Sequence, residues 1–512
     1  MIRIHFFVPM TAHHLSQGPD RSASIASWAI LFLCAVVLAW APSSQSLWID
    51  EGHTAHFAQQ ADFQSVVDAL TRDVNSQAQM PGYIVAAWSA DKILGSSEWA
   101  MRAQNILWAW IALIFCWLTG RHLKIPWLPL LLTCSPFLWF YMDEARPYVM
   151  QIAGGSAMAY ALSRSMTSNA IDWAFALPWI LGGLLMSTAS MLGGFCFGAA
   201  TLVVAFLAFR NRPGISRGVV LFLIGGYVVM LLLGAYFAWT VLRGAGGAKL
   251  WTVSIGNIAF AFYELLGFSG LGPGRLTLRE AAKSGLGDAA RALVPFALGL
   301  SGLGILLGVV LLFASRCKPG VARAVLAANL ATLVIGISTL AVAAYLAKWP
   351  FWGRHFAPFL PFMLVAIAAA IQGTRFPQVL RYTVLVGIFC FWSVSALSIR
   401  LLERHLKDDY RRGAQIASSA ISSQKTTWWA ADETTARYYQ LPVSETADSQ
   451  SALVLYMPEA SRLNALAPPD TIVLSRPDQF DALGSIREYI TAHGYQKTAS
   501  FAAFTVWEKP AG

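Results

Sequence analysis

The sequence predicts a polytopic α-helical membrane protein that ends in a small α/β domain. Three observations predict it. Apolar runs of about 20 residues, the length that crosses a bilayer as a helix, recur from residue 25 to residue 399. Of the 512 residues, 56% are hydrophobic and 12% charged, whereas a soluble domain is about one quarter charged. Beyond residue 403 the charge rises and apolar and polar residues begin to alternate. A membrane β-barrel would show short alternating segments throughout instead.

Charge and cysteine content narrow the class further. Lys and Arg number 37 against 27 Asp and Glu, a net charge of +10. Membrane proteins concentrate such cations in cytoplasmic loops, so the excess is read as orientation and no nucleic-acid partner is assigned. Cys34, Cys116, Cys134, Cys196, Cys317 and Cys390 lie in or beside apolar runs without CxxC spacing. They are read as small packing residues.

The first span is expected at residues 25–41, after Arg3 and Arg21, which puts the N-terminus in the cytoplasm and Asp50 outside. Ala39-Trp40-Ala41 would pass as a cleavage site, but the run is read as a retained anchor. Residues 43–98 then form an outer juxtamembrane segment rich in acids, with an amphipathic helix over 54–70 lying on the membrane. Residues 80–95 are short and carry Asp91 and Lys92. Whether they span or lie at the surface stays open, although the basic turns become uniformly cytoplasmic only if they do not span.

Further spans are expected at 99–119, 126–142, 147–163, 171–189, 191–210, 218–241, 291–314, 321–346, 355–372 and 378–399, about eleven in all. This assignment leaves 141–148, 242–290, 347–356 and everything after Glu403 on the outer side. It makes residues 1–402 the membrane domain and 403–512 an outer α/β domain. In the latter, TTWWAA (426–431), ALVLYM (452–457), TIVLS (471–475) and ASFAAFTVW (499–507) read as strands. Residues 404–420 and 478–493 read as helices, the second stopped by Gly494. The tail shows no phosphate-binding glycine loop, paired-His motif or nucleophile elbow, so its expected role is acceptor docking or scaffolding.

Charge at a membrane boundary is costly and tends to be kept for function. Three groups fall on the expected outer rim. Asp50 and Glu51, in Trp48-Ile49-Asp50-Glu51-Gly52-His53-Thr54, are candidate general bases. His53 and His56 are candidate ligands for a divalent metal with these acids, although surface imidazoles are the plainer reading. No cofactor is assigned firmly. Asp143, Glu144, Arg146 and Tyr148 form a second group, in which Asp143, Glu144 and Tyr148, together with Arg102, are candidate substrate-binding residues; Arg102, Gln104 and Asn105, at the start of a span, are also candidates for the same role as the cations of the third group. Lys348, Arg354 and His355 form the third. Interfacial snorkelling would explain their charges, but outer cations run against the positive-inside bias and suit a phosphate.

The order of these motifs resembles the GT-C superfamily of polyprenyl-phosphate-sugar glycosyltransferases. The resemblance is to the branch holding protein O-mannosyltransferases, the lipid A aminoarabinose transferase and the rhizobial galacturonosyltransferases. It rests on the acidic pair after the first span; on Gly95, Glu98 and Arg102; on Ser135, Pro136, Glu144, Ala145, Arg146, Pro147 and Tyr148; on Arg354, His355, Pro358 and Pro361; and on Asp409-Tyr410-Arg411. The chain departs from the pattern at Gln79-Met80-Pro81-Gly82, where His-Pro-Pro is usual, and at Ser187-Thr188-Ala189-Ser190, where Thr-His is often found.

The resemblance implies an inverting, one-step displacement with Asp50 as base. The donor would be a sugar on undecaprenyl phosphate or a similar carrier, its phosphate held by Arg146, Arg354 and Lys348. The acceptor would be a lipid, a glycan or a protein hydroxyl. The expected setting is a bacterial inner membrane, with the site facing the periplasm. A transporter or lipid flippase is the rival, but it would place charges and broken helices near the midplane, often in repeated halves.

Overall fold

The computed structural model describes residues 21–168, 170–244, 254–349, 351–446 and 450–510; Arg3 and part of the 242–290 loop lie outside them. The chain forms two compact units, one of residues 1–42, 67–86 and 102–405, the other of residues 43–66, 87–101 and 406–512. The sequence draws a single boundary near residue 403. The structure instead groups two juxtamembrane segments with the C-terminal part.

The first unit is a helical bundle. Among the described residues, seven helices are long and apolar enough to cross a membrane, from Glu98–Leu123 to Gln378–Leu401. Shorter apolar helices stand at two further expected spans, Ile25–Ala39 and Trp173–Ala189, and at Ile255–Leu265 inside the expected outer loop. A helix that is apolar all round does not reveal its neighbours by pattern; burial does. The stretch Gly353–Gly373 is 94% buried and forms the bundle centre, whereas Arg217–Leu242 is 11% buried and lies at its edge.

The expected span at 126–142 is broken. It consists of two seven-residue helices, Leu128–Cys134 and Pro136–Met142. Pro136 lacks the N–H that would continue the first helix and suits the first turn of the second. Ser135 caps that turn by accepting from the Leu138 N–H, and the Trp139 indole donates to the freed Thr133 carbonyl at 2.7 Å. The undecided segment is a helix at Pro81–Leu94, 14 residues. At 1.5 Å per residue it is about 21 Å long, short of the hydrocarbon core of about 30 Å.

The second unit is built on a six-stranded sheet: β1 (Thr427–Ala430), β2 (Val443–Ser444), β3 (Ala452–Val454), β4 (Thr471–Ser475), β5 (Gln496–Phe501) and β6 (Phe504–Glu508). Strand order is β2-β3-β1-β4-β6-β5. The first four run parallel, and β6 pairs antiparallel with β4 and β5. The expected strand at 499–507 is therefore a hairpin, turning at Ala502-Ala503.

Alternation across the sheet builds two cores. Trp428, Ala430, Ile472 and Leu474 face Ile486, Tyr489 and Ile490. Trp429, Ala431 and Val473 face Tyr410, Ala414 and Ala417. The first expected helix starts later, at Tyr410–Ser422, where the Asp409 carboxylate caps the Arg412 N–H. The second is split by Gly484 into Pro477–Phe480 and Ser485–Ala492. Gly494 stops it as expected: its φ is +68°, its N–H donates to Thr491 O, and the Tyr495 N–H reaches Ile490 O, a Schellman ending.

Candidate active site

The Asp50 stretch is held by the C-terminal sheet. Asp50 opens the helix Ile49–Ala58, and the expected single helix over 54–70 ends there, with a second at Phe63–Arg72. Trp48 and Ile49 are buried in the core formed by Trp429, Tyr410, Val473 and Phe504. Gly52 is pressed against the helix Glu433–Tyr438: a Cβ added there would stand 2.1 Å from Thr435 Oγ1. Upstream, the Tyr439 hydroxyl accepts from the Leu47 N–H at 2.7 Å, and the Arg411 N–H donates to Ser46 Oγ at 3.0 Å. Arg411 also pairs with Glu98 at 2.6 Å, so two resemblance motifs meet.

The two acids of the pair differ. Glu51 is fully buried; its Oε2 accepts from the Trp48 N–H at 3.4 Å and lies 3.8 Å from Lys407 Nζ. Asp50 is half-buried. Both lie in the first turn of the helix, where its partial positive charge favours carboxylates. His53 turns to Asp432, Nε2 to Oδ1 3.2 Å, and His56 is exposed. Among the described residues no group of three or more His, Cys, Asp or Glu side chains is placed to hold a metal ion.

The remaining expected residues belong to the helical unit, where two networks gather them. In the first, Asp143 is a buried carboxylate between Arg400, at 3.0 Å, and the fully buried Arg102, at 3.9 Å. Asn105 ties down the same turn, its Nδ2 donating to the Glu144 carbonyl at 2.6 Å. Gln104 donates to the Tyr83 hydroxyl. Arg146 is buried, with its guanidinium 3.6 Å from Met80 Sδ. Tyr148 packs on Tyr141 with ring centres 4.7 Å apart.

In the second network, Arg275 Nε lies 2.7 Å from Glu264 Oε1. Arg354 interacts electrostatically with both, and the Gly353 N–H donates to Glu264. A Cβ at Gly353 would stand 1.7 Å from Glu264 Oε2, so this close approach requires glycine. Arg279 stacks over the Trp352 ring at 4.9 Å. Three guanidinium groups thus gather about the segment 352–354, with Glu264 between two of them. His355 is turned back on its own helix, Nδ1 facing the Trp352 N–H at 3.4 Å. Lys348 is exposed, at the left-handed end of the helix Val321–Ala347.

Arg275, Arg279 and Glu264 were not expected as site residues. A signal was present in the spacing of Arg275 and Arg279, which at i and i+4 share one face of a helix.

No family model matches the chain, and no curated protein sequence matches it. Solved structures do. The crystal structure of ArnT from Cupriavidus metallidurans in the apo state matches over 95% of this chain and 98% of that one, with 13% identity and a TM-score of 0.53. Weaker likenesses, at TM-scores of 0.49 and 0.44 and 13% identity, are to the same ArnT bound to undecaprenyl phosphate and to the mycobacterial arabinofuranosyltransferase AftD. They cover 96% and 97% of this chain, and 99% and 40% of those.

Proposed function

We propose that this chain, a polytopic membrane protein of GT-C fold, is a glycosyltransferase. It moves a sugar from a polyprenyl-phosphate carrier to a lipid, glycan or protein hydroxyl, working at the outer, periplasmic face of a bacterial inner membrane. The observation that carries this reading is the gathering of Arg275, Arg279 and Arg354 about one segment, at the start of the apolar stretch Gly353–Gly373. Guanidinium groups pair with phosphate oxygens in a bidentate way and keep their charge at any working pH.

In the proposed reaction the acceptor oxygen attacks the anomeric carbon as the bond from that carbon to the phosphate oxygen breaks. Configuration inverts in the single step. Asp50 takes the hydroxyl proton. The bonding electrons leave with the lipid phosphate, whose added charge is met by Arg354 and Arg275, with Arg146 and Lys348 as further candidates. Asp50 suits the base better than Glu51, because Glu51 is fully buried and faces Lys407 and the Trp48 N–H. Asp143 and Arg102 serve by fixing the turn that carries Glu144 and Arg146.

The test uses the full chain in vesicles with a radiolabelled sugar on undecaprenyl phosphate, following label into the lipid, glycan and protein fractions. Asp50→Asn is expected to lower transfer at least 100-fold, within the range of lost general-base catalysis, while donor binding persists. Undiminished transfer would remove Asp50 from the mechanism.

A further inference from the structure

We propose that Arg476, from the C-terminal sheet, is the positioning residue that sets the charge state of Asp50, so that the tail completes the reaction site rather than only docking acceptor. This rests on the reading of Asp50 as the base. In open α/β sheets the carboxyl ends of parallel strands are where ligands are received. Here β1 and β4 run parallel with Ala430 beside Leu474, so Asp432 and Arg476 follow at the same edge. That edge receives the chain's own Asp50 helix. Thr435 lies against Gly52, Asp432 meets His53, and the Arg476 guanidinium lies 5.5 Å from the Trp48 ring.

Arg476 is fixed in place. It follows β4 with a φ of +40°, a left-handed conformation that a long side chain adopts at a cost. It is clamped by Asp408, Nε to Oδ2 2.6 Å and a terminal nitrogen to Oδ1 3.1 Å. Burial works against its charge, and Asp408, Tyr410 and Asp50 more than offset this. Other titratable or charged groups on and around the helix include Glu51 with Lys407, His53 with Asp432, His56, and Glu433 with Arg437 on the helix packed against it. Arg476 is therefore held by one carboxylate, Asp408, while its field also reaches Asp50, two residues along from the Trp48 ring it faces.

Two substitutions should then act in opposite directions. Arg476→Gln removes the cation and should raise the Asp50 labelling midpoint, as loss of an opposite charge does. Asp408→Asn keeps the cation but removes its competitor, and should lower it. Arg476→Lys should stay near wild type. Carbodiimide attacks the protonated carboxyl, so labelling of Asp50 across pH, located by peptide mass spectrometry on the full chain in vesicles, reads the midpoint without any substrate.

Opposite shifts support the proposal, and the acidic limb of the transfer rate should move with them. If Arg476→Gln does not fold, a fall in the Asp408→Asn midpoint still supports it. Unmoved midpoints, or shifts in one direction for both variants, overturn it. A normal midpoint pattern with full transfer by Asp50→Asn would sink the base assignment instead and leave the electrostatic coupling standing.

Discussion

Gly52 and Thr435 are in such close approach that a single added methyl would overlap the threonine hydroxyl, at 2.1 Å. The backbone of the Asp50 helix is thereby seated on the helix Glu433–Tyr438, and the position of the proposed base is set by the C-terminal unit. Gly52→Ala is expected to force these helices apart. Overpacking of this kind costs about 1–3 kcal/mol, visible as a lower thermal midpoint. Transfer should fall by more than the folded fraction does, because a base displaced by an ångström loses its geometry.

Asp143 is expected to matter for folding before it matters for substrate. It faces Arg102 and Arg400 inside the bundle, and removing one partner from a buried ion network costs about 3–5 kcal/mol. Asp143→Ala should therefore lower the melting temperature in detergent sharply, and Asp143→Asn less so. Unchanged melting together with a raised KM for donor would instead support the role in substrate binding expected for Asp143 from the sequence.

His405 supplies a pH dependence. Burial first, and Arg404 beside it, press its pKa down to about 4, against a hydrogen bond to Gly270 that pulls upward. Arg404 Nε donates to His405 Nε2 at 3.1 Å, which requires the neutral ring. The folded pKa lies below the unfolded value of about 6.5, so the folded state binds fewer protons than the unfolded state between them. Stability is full above pH 6.5 and declines as pH falls toward 4. His405→Gln should flatten the pH profile of thermal stability across that window.

Some of this was legible in the sequence and some was not. The apolar runs placed most of the helices, because length and composition alone report segments able to cross a membrane. The break at Ser135-Pro136 was missed: the hydropathy of 126–142 runs through it, and only the proline marks it. Met80, noted as a departure from the His-Pro-Pro pattern, proves to be one of the groups that Arg146 touches. The difference between Asp50 and Glu51 in surroundings depends in part on Lys407, which only tertiary folding brings near Glu51. Arg476 was invisible for the same reason, since no local pattern links a strand end in the tail to the helix Ile49–Ala58.

The most direct measurement is a density map of the full chain with undecaprenyl phosphate bound. The expected result is a phosphate within hydrogen-bonding distance of Arg354 and Arg275, with the lipid chain leaving sideways into the bilayer. A phosphate bound away from every one of Arg146, Arg275, Lys348 and Arg354 would contradict the proposed function.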